Sequence, residues 1–122
     1  MSKDLTKRTT QEVLDHHLHY LQNGFLDETL EDYCEESVLV NMTGPKKGLT
    51  EIREFFKDSI ASCLPAGSVY KSIHQYVDGE IAYIVWSAES PFYSIPYGTD
   101  TFIVRNGKIV QQTFAGILEK KG

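Results

Sequence analysis

The chain has 122 residues, of which 41% are hydrophobic and 24% charged, and a formal net charge of −5. That is length for one domain around one core, with the composition of an ordinary globular protein. Basic residues gather only in the pairs Lys7-Arg8, Lys46-Lys47 and Lys120-Lys121, which read as solubilising surface. No basic stripe is present to displace counterions from phosphates, which excludes nucleic acid as a partner.

No apolar run approaches the roughly 20 residues that cross a bilayer, so no membrane partner is expected. The first eight residues lack the apolar stretch of an export signal. Cytoplasmic residence is the expectation, with Cys34 and Cys63 as free thiols.

Residues 1–8 are polar and read as a flexible tail, leaving 9–122 as a single domain. Thr9-Thr10-Gln11-Glu12 matches a capping box, and Val13, Leu14, Leu18 and Leu21 follow at helical spacing. Gly24 is placed to end that helix. Asp27 is expected to cap a second, shorter helix through Leu30 and Tyr33. Val38-Leu39-Val40 predicts a strand, and Thr43-Gly44-Pro45 through Gly48 a loop. Thr50 is expected to cap a third helix carrying Ile52, Phe55, Phe56 and Ile60, which Pro65-Ala66-Gly67 stops.

The remainder predicts strands. Val69 to Val77 and Ile81 to Glu89 flank the hairpin signal Asp78-Gly79. Pro91 to Gly98, with two prolines, reads as an irregular connection. Thr99 to Arg105 and Lys108 to Leu118 flank Asn106-Gly107. Strands gathered after helices predict an α+β fold, an antiparallel sheet with helices packed on one face.

Three groups of residues carry a resemblance. They are Tyr20-Leu21-Gln22-Asn23-Gly24-Phe25-Leu26-Asp27, Gly48 with Ile52-Arg53-Glu54-Phe55-Phe56, and Asp100-Thr101-Phe102 followed by Gly107-Lys108-Ile109-Val110. In this order they resemble the nuclear transport factor 2-like superfamily, which includes ketosteroid isomerases, SnoaL-like polyketide cyclases, limonene-epoxide hydrolases and scytalone dehydratase. The resemblance implies a cone-shaped curved sheet with three helices in the N-terminal half, enclosing an apolar pocket. It says little about chemistry, because this scaffold hosts unrelated functions.

Carried across from ketosteroid isomerase, the oxyanion-hole Asp falls on Asp100, the oxyanion-hole Tyr on His17, and the base Asp on Asn41. Tyr33 takes a supporting pocket position, and Phe56 replaces another hydroxyl. An amide does not titrate near neutral pH, so Asn41 removes the base and excludes true steroid isomerisation. What remains is a catalytic pair of His17 and Asp100, a carboxylate beside an imidazole, acting without cofactor on a small apolar ligand. Isomerase, cyclase, dehydratase and hydrolase chemistry all stay open. Non-catalytic ligand binding and a dimeric protein-interaction domain are the alternatives.

By two-residue alternation, Val85, Ser87 and Glu89 share one strand face, Phe102 lies with Asp100, and Gln112 lies with Phe114. The resemblance makes these faces ligand-binding, together with Asn41, Tyr33 and Phe56. Trp86 has the opposite parity and is expected outside, anchoring a homodimer through the outer sheet face. His16, His17 and His19 are not a metal cluster, since only i to i+3 or i+4 pairs on a helix converge. No metal is expected.

Overall fold

A computed structural model describes residues 4–122; the first three residues of the expected tail lie outside it. A 3-10 turn, Leu5–Lys7, precedes α1 (Thr10–Gln22), α2 (Leu26–Leu30), β1 (Val38–Asn41), β2 (Gly44–Lys47), α3 (Gly48–Ser62), β3 (Val69–Asp78), β4 (Ile81–Glu89), β5 (Tyr93–Arg105) and β6 (Lys108–Lys120). One six-stranded sheet runs in the order β2-β1-β6-β5-β4-β3. Every neighbouring pair is antiparallel except β1 with β6, which run parallel and make the sheet mixed.

The helices cover one face of the sheet. Val13, Leu14, Ile52 and Phe56 from α1 and α3 pack with Leu39, Ala82, Ile84, Phe102, Val104 and Ile109 from the strands. The box at Thr9 forms as expected, with Thr9 and Glu12 each accepting from the other's backbone N–H. The other two caps differ from expectation. α2 begins at Leu26 with no side-chain cap, so Asp27 lies within its first turn. α3 begins at Gly48, so Thr50 is internal, and Glu51 reaches back to accept from the Lys47 N–H at 2.8 Å.

Two segments read as irregular are strands. Gly44–Lys47 pairs with β1 across the tight turn at Met42-Thr43. Pro45 is tolerated there because β2 is the sheet edge and needs no ladder donor at that residue. Tyr93–Gly98 is the first half of β5, and its register with β6 shifts between Ser94 and Tyr97, where Pro96 sits. A bulge absorbs the missing proline N–H and bends the sheet.

The tail expectation fails at Arg8. Its guanidinium is buried, donating to Asp32 Oδ1 at 2.8 Å and to the Gly107 carbonyl at 2.8 Å. His16 Nδ1 meets the same carboxylate at 2.9 Å, and the Asp32 carbonyl accepts from Ile109 N–H at 2.7 Å. Burial pushes the Asp32 carboxyl up, while the bonds from His16 and Arg8 pull it down. This network pins the start of the chain across α1, α2 and the β5–β6 turn.

Candidate functional site

Between the helices and the concave sheet lies a cavity of about 720 Å³, lined mainly by apolar side chains. That volume falls within the range of ligand pockets, roughly 300–1,000 Å³. α1 contributes His17, Leu18 and Leu21; α3 contributes Phe55 and Phe56; the strands contribute Ile84, Trp86, Asp100, Phe102, Gln112 and Phe114.

Register puts the polar wall together. Asp100 on β5 stands opposite Ile84 on β4 and Phe114 on β6, while Phe102 stands opposite Gln112. These neighbours share one face of the sheet. Asp100 accepts from Trp86 Nε1 at 2.7 Å and from Gln112 Nε2 at 2.9 Å. The Tyr33 hydroxyl donates to Gln112 Oε1, so Tyr33, Gln112, Asp100 and Trp86 form one chain of hydrogen bonds. Burial pushes the Asp100 carboxyl up to about 6, even though the bonds from Trp86 and Gln112 favour its ionised form. Burial, aided by the charges of Asp32 and Asp100, raises the Tyr33 phenol well above its ordinary range.

His17 reaches the cavity from α1 and is only 2% exposed. Its ring lies against Phe102, Phe56 and Tyr33 at centroid distances of 5.2, 5.9 and 6.0 Å. Its Nδ1 has no hydrogen-bond partner. Burial first, and the neighbouring His16 second, lower its pKa to about 3, so the ring is neutral. His17 and Asp100 line the same cavity, yet no hydrogen bond joins them, and the carboxylate is held by Trp86 and Gln112 instead. The arrangement is therefore a buried carboxylate and a neutral imidazole in the wall of one cavity, not a hydrogen-bonded carboxylate–imidazole dyad.

Of the other expected site residues, Asn41, Phe56, Phe102, Gln112 and Phe114 line the cavity. Asn41 spends its Oδ1 on its own turn, accepting from Thr43 N–H at 2.9 Å, Thr43 Oγ1 at 2.8 Å and Lys46 Nζ at 2.8 Å. Tyr33 stands behind the wall and acts on it through Gln112.

Val85, Ser87 and Glu89 do not line the cavity, which corrects the assigned face of β4. Glu89 is exposed and bonds to Lys121 Nζ at 2.8 Å and Ser94 Oγ at 2.5 Å. Trp86, expected outside as a dimer anchor, faces inward and stacks on Phe114 at 5.8 Å. The physical reason is that Ile81 through Trp86 is almost wholly apolar, so alternation gives no inside or outside. Pairing fixes it. Trp86 stands opposite Gly98, where an added Cβ would come within 2.9 Å of the indole ring. That bare glycine across from an aromatic is the signal that could have placed Trp86 inside.

Among the described residues, no group of three or more His, Cys, Asp or Glu side chains is arranged to hold a metal ion. Among the described residues, no helix is long and apolar enough to cross a membrane.

No family model matches the chain, nor does any curated protein. Solved structures do match. An NTF2-like protein of unknown function from Cytophaga hutchinsonii superposes with a TM-score of 0.75 at 11% identity, covering 96% of this chain and 95% of that one. Another from Mesorhizobium loti gives 0.74 at 18% identity, covering 96% and 97%. The epoxide hydrolase/cyclase-like enzyme SalBIII, of pyran ring formation in polyether salinomycin, gives 0.74 at 17% identity, covering 88% and 90%. The element order, the curved mixed sheet and these superpositions together establish that the chain has the nuclear transport factor 2-like fold.

Proposed function

We propose that the chain binds a small, largely apolar molecule in its central cavity, with Asp100 as the polar anchor. The observation that carries this reading is a buried carboxylate set in the wall of an apolar cavity of about 720 Å³. Burying such a group without a task costs stability. His17, Phe56, Phe102, Gln112 and Phe114 complete the contact surface, and Tyr33 positions Gln112. SalBIII, which shares the fold, is an epoxide hydrolase/cyclase-like enzyme, in keeping with small-molecule chemistry on this scaffold.

A second reading, cofactor-independent acid/base chemistry, is favoured by one feature. A carboxyl at about 6 is close to the value suited to a proton acceptor at neutral pH. His17, at about 3, is too weak a base to share that role. Catalysis of the isomerase, cyclase, dehydratase or hydrolase type would then rest on Asp100, with His17 as a neutral hydrogen-bonding group.

Homodimer formation through the outer sheet face accompanies the reading, carried by the exposed Tyr76–Tyr83 pair and Ile81 in place of Trp86. Cytoplasmic residence accompanies it too, in keeping with two free cysteines.

A thermal-shift screen against steroids, terpenoids, polyketides and small acids tests the binding reading. A ligand at 100 times its Kd adds about 2.7 kcal/mol of stability. Hits should lose affinity in Phe114→Ala, which removes from the cavity wall the ring stacked on Trp86. Hits unaffected by that variant would place binding elsewhere. For a hit that is also turned over, Asp100→Asn abolishes turnover on the catalytic reading, and surviving turnover refutes it.

A further inference from the structure

The charges and the donor inventory of the cavity narrow the chemistry of its ligand. Its lining includes four carboxylates, Glu51, Glu54, Asp58 and Asp100, against one ammonium, Lys46. Lys46 is occupied, donating to Asn41 Oδ1 at 2.8 Å, Thr43 Oγ1 at 2.5 Å and the Gly44 carbonyl at 3.1 Å. Glu51 is turned to the Lys47 N–H. Glu54 and Asp58 lie one turn apart on α3, both exposed at the mouth, and no cation among the described residues pairs with either.

The interior has the same bias. The Trp86 indole N–H and a Gln112 amide N–H both go to Asp100, and the Tyr33 hydroxyl goes to Gln112. The donors beside Asp100 are spent on it and on one another. The acceptors are not. Asp100 is buried with two neutral donors and no cation, so its charge is uncompensated and lone pairs remain on its oxygens. His17, 2% exposed and also lining the cavity, is neutral, so one ring nitrogen is a donor and the other an acceptor, and its Nδ1 has no partner. Hydroxyls and an amide elsewhere in the lining, on Gln22, Thr50, Ser59, Ser62, Tyr70 and Tyr93, serve a ligand carbonyl or alcohol. At Asp100, however, a ligand carboxylate meets a like charge beside donors already taken. A ligand N–H finds a buried carboxylate waiting.

We infer that the ligand's polar end is a protonated amine on an apolar body, its ammonium donating to Asp100 while its body lies against Trp86, Phe114, Phe102 and Phe56. The inference rests on the binding reading above and names the ligand class for that same cavity. Glu54 and Asp58, both exposed, act earlier, concentrating cations near the cavity through a field that salt screens. Desolvating the ammonium offsets much of the gain at Asp100, so the advantage over a neutral alcohol is modest. Discrimination against a carboxylate is larger, because like charge in a low-dielectric site is repelled.

The test uses the full chain and three probes sharing one apolar body: 4-phenylbutylamine, 4-phenylbutanol and 4-phenylbutyrate, titrated by calorimetry at neutral pH. The amine is expected to bind tightest, at least about tenfold over the carboxylate, with the alcohol between. Asp100→Asn should bring the amine to the level of the alcohol while alcohol binding stays within about threefold, which also reports that the cavity is intact. The paired surface change Glu54→Gln with Asp58→Asn, whose residues are exposed, should reduce the amine's advantage and its sensitivity to salt. Equal binding of all three probes, or a preference for the carboxylate, overturns the amine assignment and leaves the cavity reading standing. No heat from any probe overturns the amine assignment; if the wider ligand screen is also silent, the binding reading falls with it.

Discussion

Replacing His17 by leucine removes a buried imidazole and leaves the surrounding apolar contacts to a side chain of similar size. His17 Nδ1 is buried without a partner, so an unsatisfied polar atom disappears with it. At pH 7 the variant should therefore be more stable by about 1 kcal/mol, within the range of such desolvation penalties. The pH dependence is the sharper test. The folded protein holds His17 at about 3, against 6.5 when unfolded. On acidification the unfolded chain takes up the proton first, so stability present above pH 6.5 is lost progressively as pH falls toward 3. The full shift corresponds to about 5 kcal/mol, of which about 2–3 kcal/mol is lost by about pH 4.5.

Asp100 works in the opposite direction. Its folded value of about 6 against 3.8 unfolded means that stability is greatest in acid and is lost as pH rises through 6, by about 3 kcal/mol in full. In the natural protein the two trends partly cancel, giving a flat profile between about pH 4 and 6 from these two groups. In His17→Leu the Asp100 trend stands alone. Urea unfolding at about pH 7 and about pH 4.5 reads the difference, since carboxylates common to both proteins cancel. The gap between variant and natural protein should widen by about 2–3 kcal/mol on acidification. A gap that stays constant would mean that His17 titrates normally and is not held neutral in the cavity.

Two further perturbations probe the wall and the chain start. Trp86→Phe keeps the ring but deletes the indole donor to Asp100, and Gly98→Ala puts a methyl 2.9 Å from the indole. Both should move the Asp100 carboxyl further above about 6, read by carbon NMR of that carboxyl, and Gly98→Ala should also change tryptophan fluorescence; an unmoved titration denies the bond. Arg8→Ala leaves Asp32, whose side chain is 0% exposed, without its guanidinium, and should cost about 3 kcal/mol in urea unfolding. Arg8→Lys should recover little of that, because a point charge cannot serve both Asp32 and the Gly107 carbonyl. A loss below about 1 kcal/mol would mean that the segment is not docked.

The local chemistry of the chain was sufficient for much of the architecture. The capping box at Thr9, the apolar spacing of α1 and α3, and the two Asx-Gly turns each act within a few residues, so each is written in a short window. The inward placement of Asp100, Phe102, Gln112 and Phe114 came from the resemblance, because Thr99-Asp100-Thr101 and Gln111-Gln112-Thr113 are polar throughout and alternation says only which residues share a face. Where alternation is absent, a window holds no information about facing. Ile81 to Trp86 is such a run, and only its pairing with β5, with Gly98 yielding space to the indole, turned Trp86 into the cavity and onto Asp100. Arg8 is the same lesson at longer range. Its partners Asp32 and Gly107 lie 24 and 99 residues away, a juxtaposition that exists only after α2 and the β5–β6 turn have met. Residue types set which groups needed burial or pairing, and the closing of the sheet decided which of them would meet.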